Sequence, residues 1–176
     1  MPWPDIFLPD DICRIRQAET SDRVILRTLL DDYLQALSTF GPVEAAYPYF
    51  ALYFEDADRW AYMIEVALDG AWNPAGFALV NQHSCSGLPI DHAMAEFCVL
   101  PAFRRTGLGQ YAARRLLALH TGIWELGVVK RNAAACSFWR SVTRVFDGVE
   151  VIDAGDTRLL RFESPDASVR IPRVEG

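Results

Sequence analysis

Several things are missing from this chain of 176 residues, and each absence closes a class of function. No apolar run reaches the ~18 residues of a membrane-spanning helix, so no membrane partner is expected. Cysteine is sparse: Cys13, Cys85, Cys98 and Cys136 lie far apart, without a CxxC pair, and the three histidines show no metal spacing. That pattern argues against a zinc site or a disulfide framework and suits free thiols in a reducing compartment. An excess of positive charge is lacking. Lys and Arg number 17 against 23 Asp and Glu, a net charge of −6, which is the wrong sign for a generic nucleic-acid binder. The opening MPWPDIFLPDD has no basic or apolar segment of the signal-peptide kind, so a cytoplasmic location is expected. Internal repeats and low-complexity stretches are absent as well.

What is present is globular. Apolar residues at 51% and charged residues at 23% exclude wholesale disorder, and the length suits one core. The expected organisation is a single domain over residues 1–176. Residues 1–11 form an extended Pro-rich arm, 13–163 the core and 164–176 a loose tail.

Periodicity fills in the core. Cys13 to Ala18 alternates as a first strand. Thr20-Ser21-Asp22 offers caps for a helix whose apolar positions (Ile25, Leu29, Leu30, Tyr33, Leu34, Leu37) recur at three and four until Gly41-Pro42. The aromatic-rich segment 43–58 has room for a short helix, either covering a pocket or packed on the core. Trp60–Leu68 and Ala75–Asn81 flank an Asp69-Gly70 turn. Ala93–Leu100 is almost wholly apolar, as a strand buried on both faces is. A helix from about Gly107 to Leu119, a strand Ile123–Val129 and a helix capped by Asn132 follow. Val145–Ile152 and Arg158–Phe162 read as a closing antiparallel pair. Strands and helices in this order give an α+β fold with a mixed sheet.

The chemistry concentrates in EFCVLPAFRRTGLGQ, residues 96–110: a buried strand, a tight loop and a helix start. A helix start exposes unpaired amides and the positive end of its dipole. Gly107 and Gly109 let the backbone approach an anion, and Arg104 and Arg105 add charge. Together these read as a pyrophosphate cradle. Gly107-x-Gly109-x-x-Ala112 also fits a dinucleotide fingerprint, so a dinucleotide-binding protein is one alternative. The fingerprint's acidic partner, expected ~20 residues on, is missing, because the next strand ends Val128-Val129-Lys130-Arg131. No Gly-Lys-Ser/Thr follows, so a Walker loop is excluded.

Arg104-x-x-Gly107-x-Gly109, after a strand ending Val-Leu-Pro, resembles the coenzyme A loop of the GNAT N-acetyltransferases. ELGVV followed by Asn132-x-x-Ala135-x-x-Phe138-Trp139 resembles that family's next strand and helix. The resemblance spans residues 13–163, and the two segments most resemble a bacterial subgroup. It implies a mostly antiparallel sheet splayed after the fourth strand, with acetyl-CoA in the gap. Backbone of Phe97, Cys98 and Val99 would run along the pantetheine, with the Phe97 amide polarising the thioester carbonyl. Amides from Arg105 to Gln110 would hold the pyrophosphate, Asn132 would touch the pantetheine, and Phe138 would pack nearby. An amine then attacks the thioester directly.

The implied acceptor is a small-molecule amine, without nucleic acid; a second copy of the chain stays open as a partner. Glu96 is the first candidate general base, because desolvation in an apolar strand raises a carboxyl pKa. A structural salt bridge or hydrogen bond is the alternative for it. Asp91 and His92 stand second; His83 and Glu65 are weaker. Alternation puts Ala95, Phe97 and Val99 on one face and Glu96 and Cys98 on the other unless a bulge intervenes. Many members of the family carry a Tyr where Trp139 stands, to protonate the leaving thiolate; Ser137 and Tyr111 are substitutes here. That loss keeps a non-catalytic acyl-CoA-binding or regulatory module as a second alternative. Segment 47–62 is expected to shape the acceptor pocket, with Glu44, Glu55, Asp56 and Asp58 favouring a cation.

Overall fold

The structure, a computed structural model, describes residues 11–165; the arm expected over 1–11 and the tail over 164–176 lie almost wholly outside them. The chain runs β1 (Cys13–Gln17), α1 (Arg23–Leu37), β2 (Arg59–Leu68), β3 (Ala71–Asn81), β4 (His92–Val99), α2 (Leu108–Leu119), β5 (Gly122–Val129), α3 (Ala133–Thr143), β6 (Glu150–Ala154) and β7 (Thr157–Ser164). One seven-stranded sheet orders them β1-β2-β3-β4-β5-β7-β6. Only β4 and β5 pair in parallel, so the fold is α+β with a mixed, mostly antiparallel sheet, as expected.

Side-chain alternation explains the layers. On β3, Phe77 and Leu79 face α1 and pack with Leu26, Leu30 and Leu34. Ala78 and Val80 face the other way, toward Leu116 of α2 and Trp139 of α3. The sheet is therefore covered on both sides, and its central strands are apolar throughout.

Two boundaries differ from the sequence reading. β3 begins at Ala71 rather than Ala75, because Asp69-Gly70 makes a two-residue turn that pairs Leu68 with Ala71. Pro74 is tolerated inside the strand because the register shifts between Ile64 and Glu65, opposite it. Val145–Val149 is turn rather than strand, and β6 starts only at Glu150. Its apolar Phe146 still serves the core, stacked on Phe162 at 4.9 Å.

The feature that positions the site is the join of β4 and β5. Their pairing is confined to His92–Trp124, Ala93–Glu125 and Met94–Leu126. Beyond Met94, β4 stays with β3 as far as Val99, and β5 stays with β7 as far as Val129. A bulge at Ala95 marks the parting: Val80 pairs with Met94 and Leu79 with Glu96, leaving Ala95 unpaired. The closed end is pinned. Asp91 accepts the Ile123 amide at 2.7 Å. Glu125, 1% exposed, accepts the Cys85 and Ser86 amides and the Ser86 hydroxyl. The rings of Trp60, His92, His120 and Trp124 pack together beside it.

Among the described residues, no helix is long and apolar enough to cross a membrane, and no group of three His, Cys, Asp or Glu side chains is placed to hold a metal ion.

Glu65 shows what an ion pair does in this fold. Arg14 donates to it at 2.6 Å and Arg16 at 2.9 Å, and Arg16 also holds Asp22 at 2.6 Å, tying β1, β2 and the start of α1. Burial works to raise its pKa, yet the bonds from Arg16 and Arg14 outweigh that and hold it below the usual 4.5. Glu65→Gln is expected to lower stability by about 1–3 kcal/mol, read as the urea midpoint. A carboxyl with a depressed pKa stabilises above its unfolded value and loses that contribution on acidification, so the gap to wild type narrows below pH 4.5.

Candidate active site

Where β4 and β5 part, a cleft of about 830 Å³ opens. Its walls come from α1 (Tyr33, Ala36, Leu37) with Phe40, from β4 (Ala95 to Val99), from the loop and start of α2, from β5 (Gly127 to Val129), and from α3 with Asn132. An empty edge of β4 faces it. The Leu100 amide donates to Ala75 of β3 at 2.8 Å, so strand alternation turns the Phe97 and Val99 amides away from β3, into the gap.

At one end of the cleft sits the loop. Arg105 adopts φ 63° and Gly107 φ 90°, two left-handed positions that fold the chain into a tight concavity before α2. A side chain at Gly107 would strain that turn. Tyr111 makes the first bond of α2, to Gly107 at 3.0 Å. The Gly109 and Gln110 amides thus have no acceptor within the helix, and both residues line the cleft. Gly109 is also needed for contact: a Cβ there would lie 3.2 Å from the Phe138 ring. Arg104 donates Nε to the Val99 carbonyl at 2.8 Å, so it braces the end of β4 as well as lining the cleft. Thr106 and Leu108 do not line it: the Thr106 hydroxyl donates to Phe103 at 2.7 Å, and Leu108 is buried in the core.

Asn132 caps α3, accepting the Ala135 amide at 3.1 Å, and also faces the cleft. Phe138 stacks on Phe97 with ring centres 5.5 Å apart, and Trp139 meets both edge-on. The sequence-derived residues of strand, loop and helix thus gather round one opening, except for Thr106 and Leu108.

At the other end lies Glu96. The bulge sets its face: Met94 joins the core beneath α2, whereas Ala95 and Cys98 pack with the α1 layer and Glu96 lies beside Tyr33. The expected pairing of Glu96 with Cys98 and of Phe97 with Val99 holds, but Ala95 shares the side of Glu96 because the extra residue breaks alternation there. Burial pushes the Glu96 pKa up to about 7, although hydrogen bonds from Tyr33 and Tyr47 favour its ionised form. No arginine or lysine pairs with it among the described residues. Behind it, Tyr53 hydrogen-bonds to Tyr47 and takes the Asn81 amide at 2.8 Å. Tyr47 holds φ 42°, a strained position for a tyrosine. Burial likewise raises the Cys98 pKa, so that thiol stays protonated at neutral pH.

The remaining sequence candidates lie elsewhere. Glu65 is locked by its arginines, Asp91 and His92 belong to the closed end, and His83 pairs with Asp58 at 3.0 Å on the surface. Ser137 and Tyr111 do not line the cleft, and Trp139, which does, has only an indole N–H. Glu44, Glu55, Asp56 and Asp58 are also outside the lining, so Glu96 is its only acid among the described residues. Segment 47–62 reaches the site through Tyr47; α1 supplies the wall the sequence reading gave to that segment. The roles of Tyr33 and Tyr47 were not legible in advance, since their contact with Glu96 spans the fold.

Three comparisons bear on this arrangement. The acetyltransferase (GNAT) family model matches residues 26–142. No curated protein matches. Solved structures share the fold. A Vibrio cholerae spermidine N-acetyltransferase in complex with CoA and spermine is 16% identical, with a TM-score of 0.58 over 88% of this chain and 95% of its own. A Staphylococcus aureus GNAT acetyltransferase is 12% identical, with 0.63 over 87% and 99%. Arabidopsis thaliana NAA60 with a bisubstrate analogue is 12% identical, with 0.62 over 86% and 98%. A chain whose sheet parts at β4 over a glycine-turned loop, and whose residues 26–142 fit that family, belongs to the GNAT acetyltransferases and takes its acyl group from acetyl-CoA as an N-acetyltransferase.

Proposed function

We propose that this acetyltransferase moves the acetyl group in one direct step to the amine of a small molecule, with Glu96 as general base. The observation that carries the reading is a carboxyl held near pH 7 on the wall of the cleft, without a cation to neutralise it.

The residues fit a diphosphate thioester. Backbone of Arg105, Gly107, Gly109 and Gln110, with the Arg104 and Arg105 side chains, suits the pyrophosphate. The outward amides of Phe97 and Val99 suit an extended pantetheine arm laid on β4 as a further strand. Phe97 N–H is placed to donate to the carbonyl oxygen as charge develops there. Asn132 and Phe138 flank the same arm. An alkylammonium with pKa near ~10 is unreactive, so its proton must leave first. The Glu96 carboxylate takes that proton; the freed nitrogen attacks the carbonyl carbon, and the thiolate departs. A thiolate with pKa around ~8.5 leaves without strict need of an acid, which suits Trp139 in that place. Cys98 is the only thiol in the lining, and its protonated state argues against an acyl-enzyme. Free thiols at Cys85, Cys98 and Cys136 support a reducing, cytoplasmic setting.

A second reading, acyl-CoA binding without turnover, draws on Trp139 and on the absence of Ser137 and Tyr111 from the lining.

Two experiments test these points. CoA and acetyl-CoA at about 100 times Kd should raise Tm by roughly 5–10 °C, and NAD should not; a shift with NAD alone would restore the dinucleotide reading. In an amine-dependent assay of CoA release, kcat/KM should fall as pH drops through about 7, where Glu96 takes up its proton. Glu96→Gln should lower kcat/KM by roughly 10²-fold or more and abolish that acid limb. An unaltered profile assigns the base elsewhere, and CoA binding with no release on any amine favours the second reading.

A further inference from the structure

We infer that the acceptor is a monoamine on an apolar body, its ammonium beside Glu96 and its carbon frame along the wall that α1 presents. This rests on the proposed function and adds the substrate class.

The wall is a stripe. Tyr33 and Leu37 lie four residues apart, as do Ala36 and Phe40, and all four line the cleft, Phe40 from the turn just after α1. Leu26, Leu30 and Leu34, buried under the sheet, hold the helix onto it, and Tyr33 joins them with its ring edge-on to Phe77; Ala36, Leu37 and Phe40 lie outside that cluster. Leu37 and Phe40 remain half-exposed, facing an opening rather than a neighbour. A ligand that covers apolar area left open in a cleft removes that area from water.

Charge sorts the two ends. Among the described residues, Glu96 is the only acid in the lining, and Arg104 and Arg105, both in the loop before α2, are its only bases. An acceptor carboxylate would therefore lie against Glu96 with no cation on that side. A second ammonium would find no second acid in the lining among the described residues; outside it, Asp31, Glu55, Asp56 and Asp58 face Arg27, Arg23, Arg59 and His83, and Asp32 and Glu44 are exposed to solvent. The Tyr33 hydroxyl is engaged with Glu96. What remains is one ionic anchor and an apolar surface, which selects by burying carbon.

The test measures kcat/KM at saturating acetyl-CoA for phenethylamine, octylamine, spermidine and lysine. One of the first two should exceed both of the others by about 10-fold or more. A preference for spermidine or lysine overturns the apolar body and leaves acetyl transfer from Glu96 intact. No turnover of any of the four, with acetyl-CoA still raising Tm, overturns the inference and the proposed function together. Leu37→Asp places an acid in the stripe and should shift the phenethylamine-to-spermidine ratio toward spermidine by about 10-fold; an unchanged ratio is contrary. Phe40→Ala, a milder change should Leu37→Asp fail to fold, should cost about 10-fold on the apolar amine and little on spermidine, and an equal loss on both counts against the stripe. In both variants the Tm shift with acetyl-CoA reports an intact fold.

Discussion

A strand cannot hydrogen-bond two diverging neighbours at once. β4 follows β3 to Val99, while β5 is held by β7 along its whole length, so the β4–β5 ladder stops after Met94–Leu126. From that conflict come the cleft, the outward amides of Phe97 and Val99, and the place where the loop of Arg104 to Gly109 must turn back. The bulge at Ala95 absorbs the change of direction and seats Met94 in one layer and Glu96 in the other. The closed end resists: the amide nest around Glu125 and the bond from Ile123 to Asp91 keep the strands joined where they are joined.

Three carboxylates withdrawn from solvent show how surroundings divide labour in one small sheet. Glu65 has two arginines, and its charge serves stability. Glu125 has backbone amides and serine hydroxyls, and its charge holds a loop. Glu96 has tyrosine hydroxyls alone, so burial is only partly offset and its proton stays exchangeable near neutrality. The same side-chain chemistry thus yields two fasteners and one carboxyl whose charge changes near neutral pH.

The order of elements and the loop were legible because they are written locally, in period, glycine placement and caps. Asn132 is a clear instance, since its cap on Ala135 follows from residue type and position. Other parts depend on contacts between distant segments. Tyr33 read as a core position of α1, and only the sheet's parting shows that its stripe meets open space. Tyr47 reaches Glu96 across 49 residues of chain through a strained backbone that no spacing signals. Val145–Val149 had strand-like composition, yet the turn around Asp147-Gly148 kept it out of the sheet.

The separation of arginines from Glu96 along one groove gives the molecule a traffic rule. A polyanion gains nothing beside a carboxylate, and an ammonium gains nothing beside guanidinium groups. On the proposed function, each reactant would be drawn to its own doorway and repelled from the other's, so crowding by one partner would leave passage for its companion.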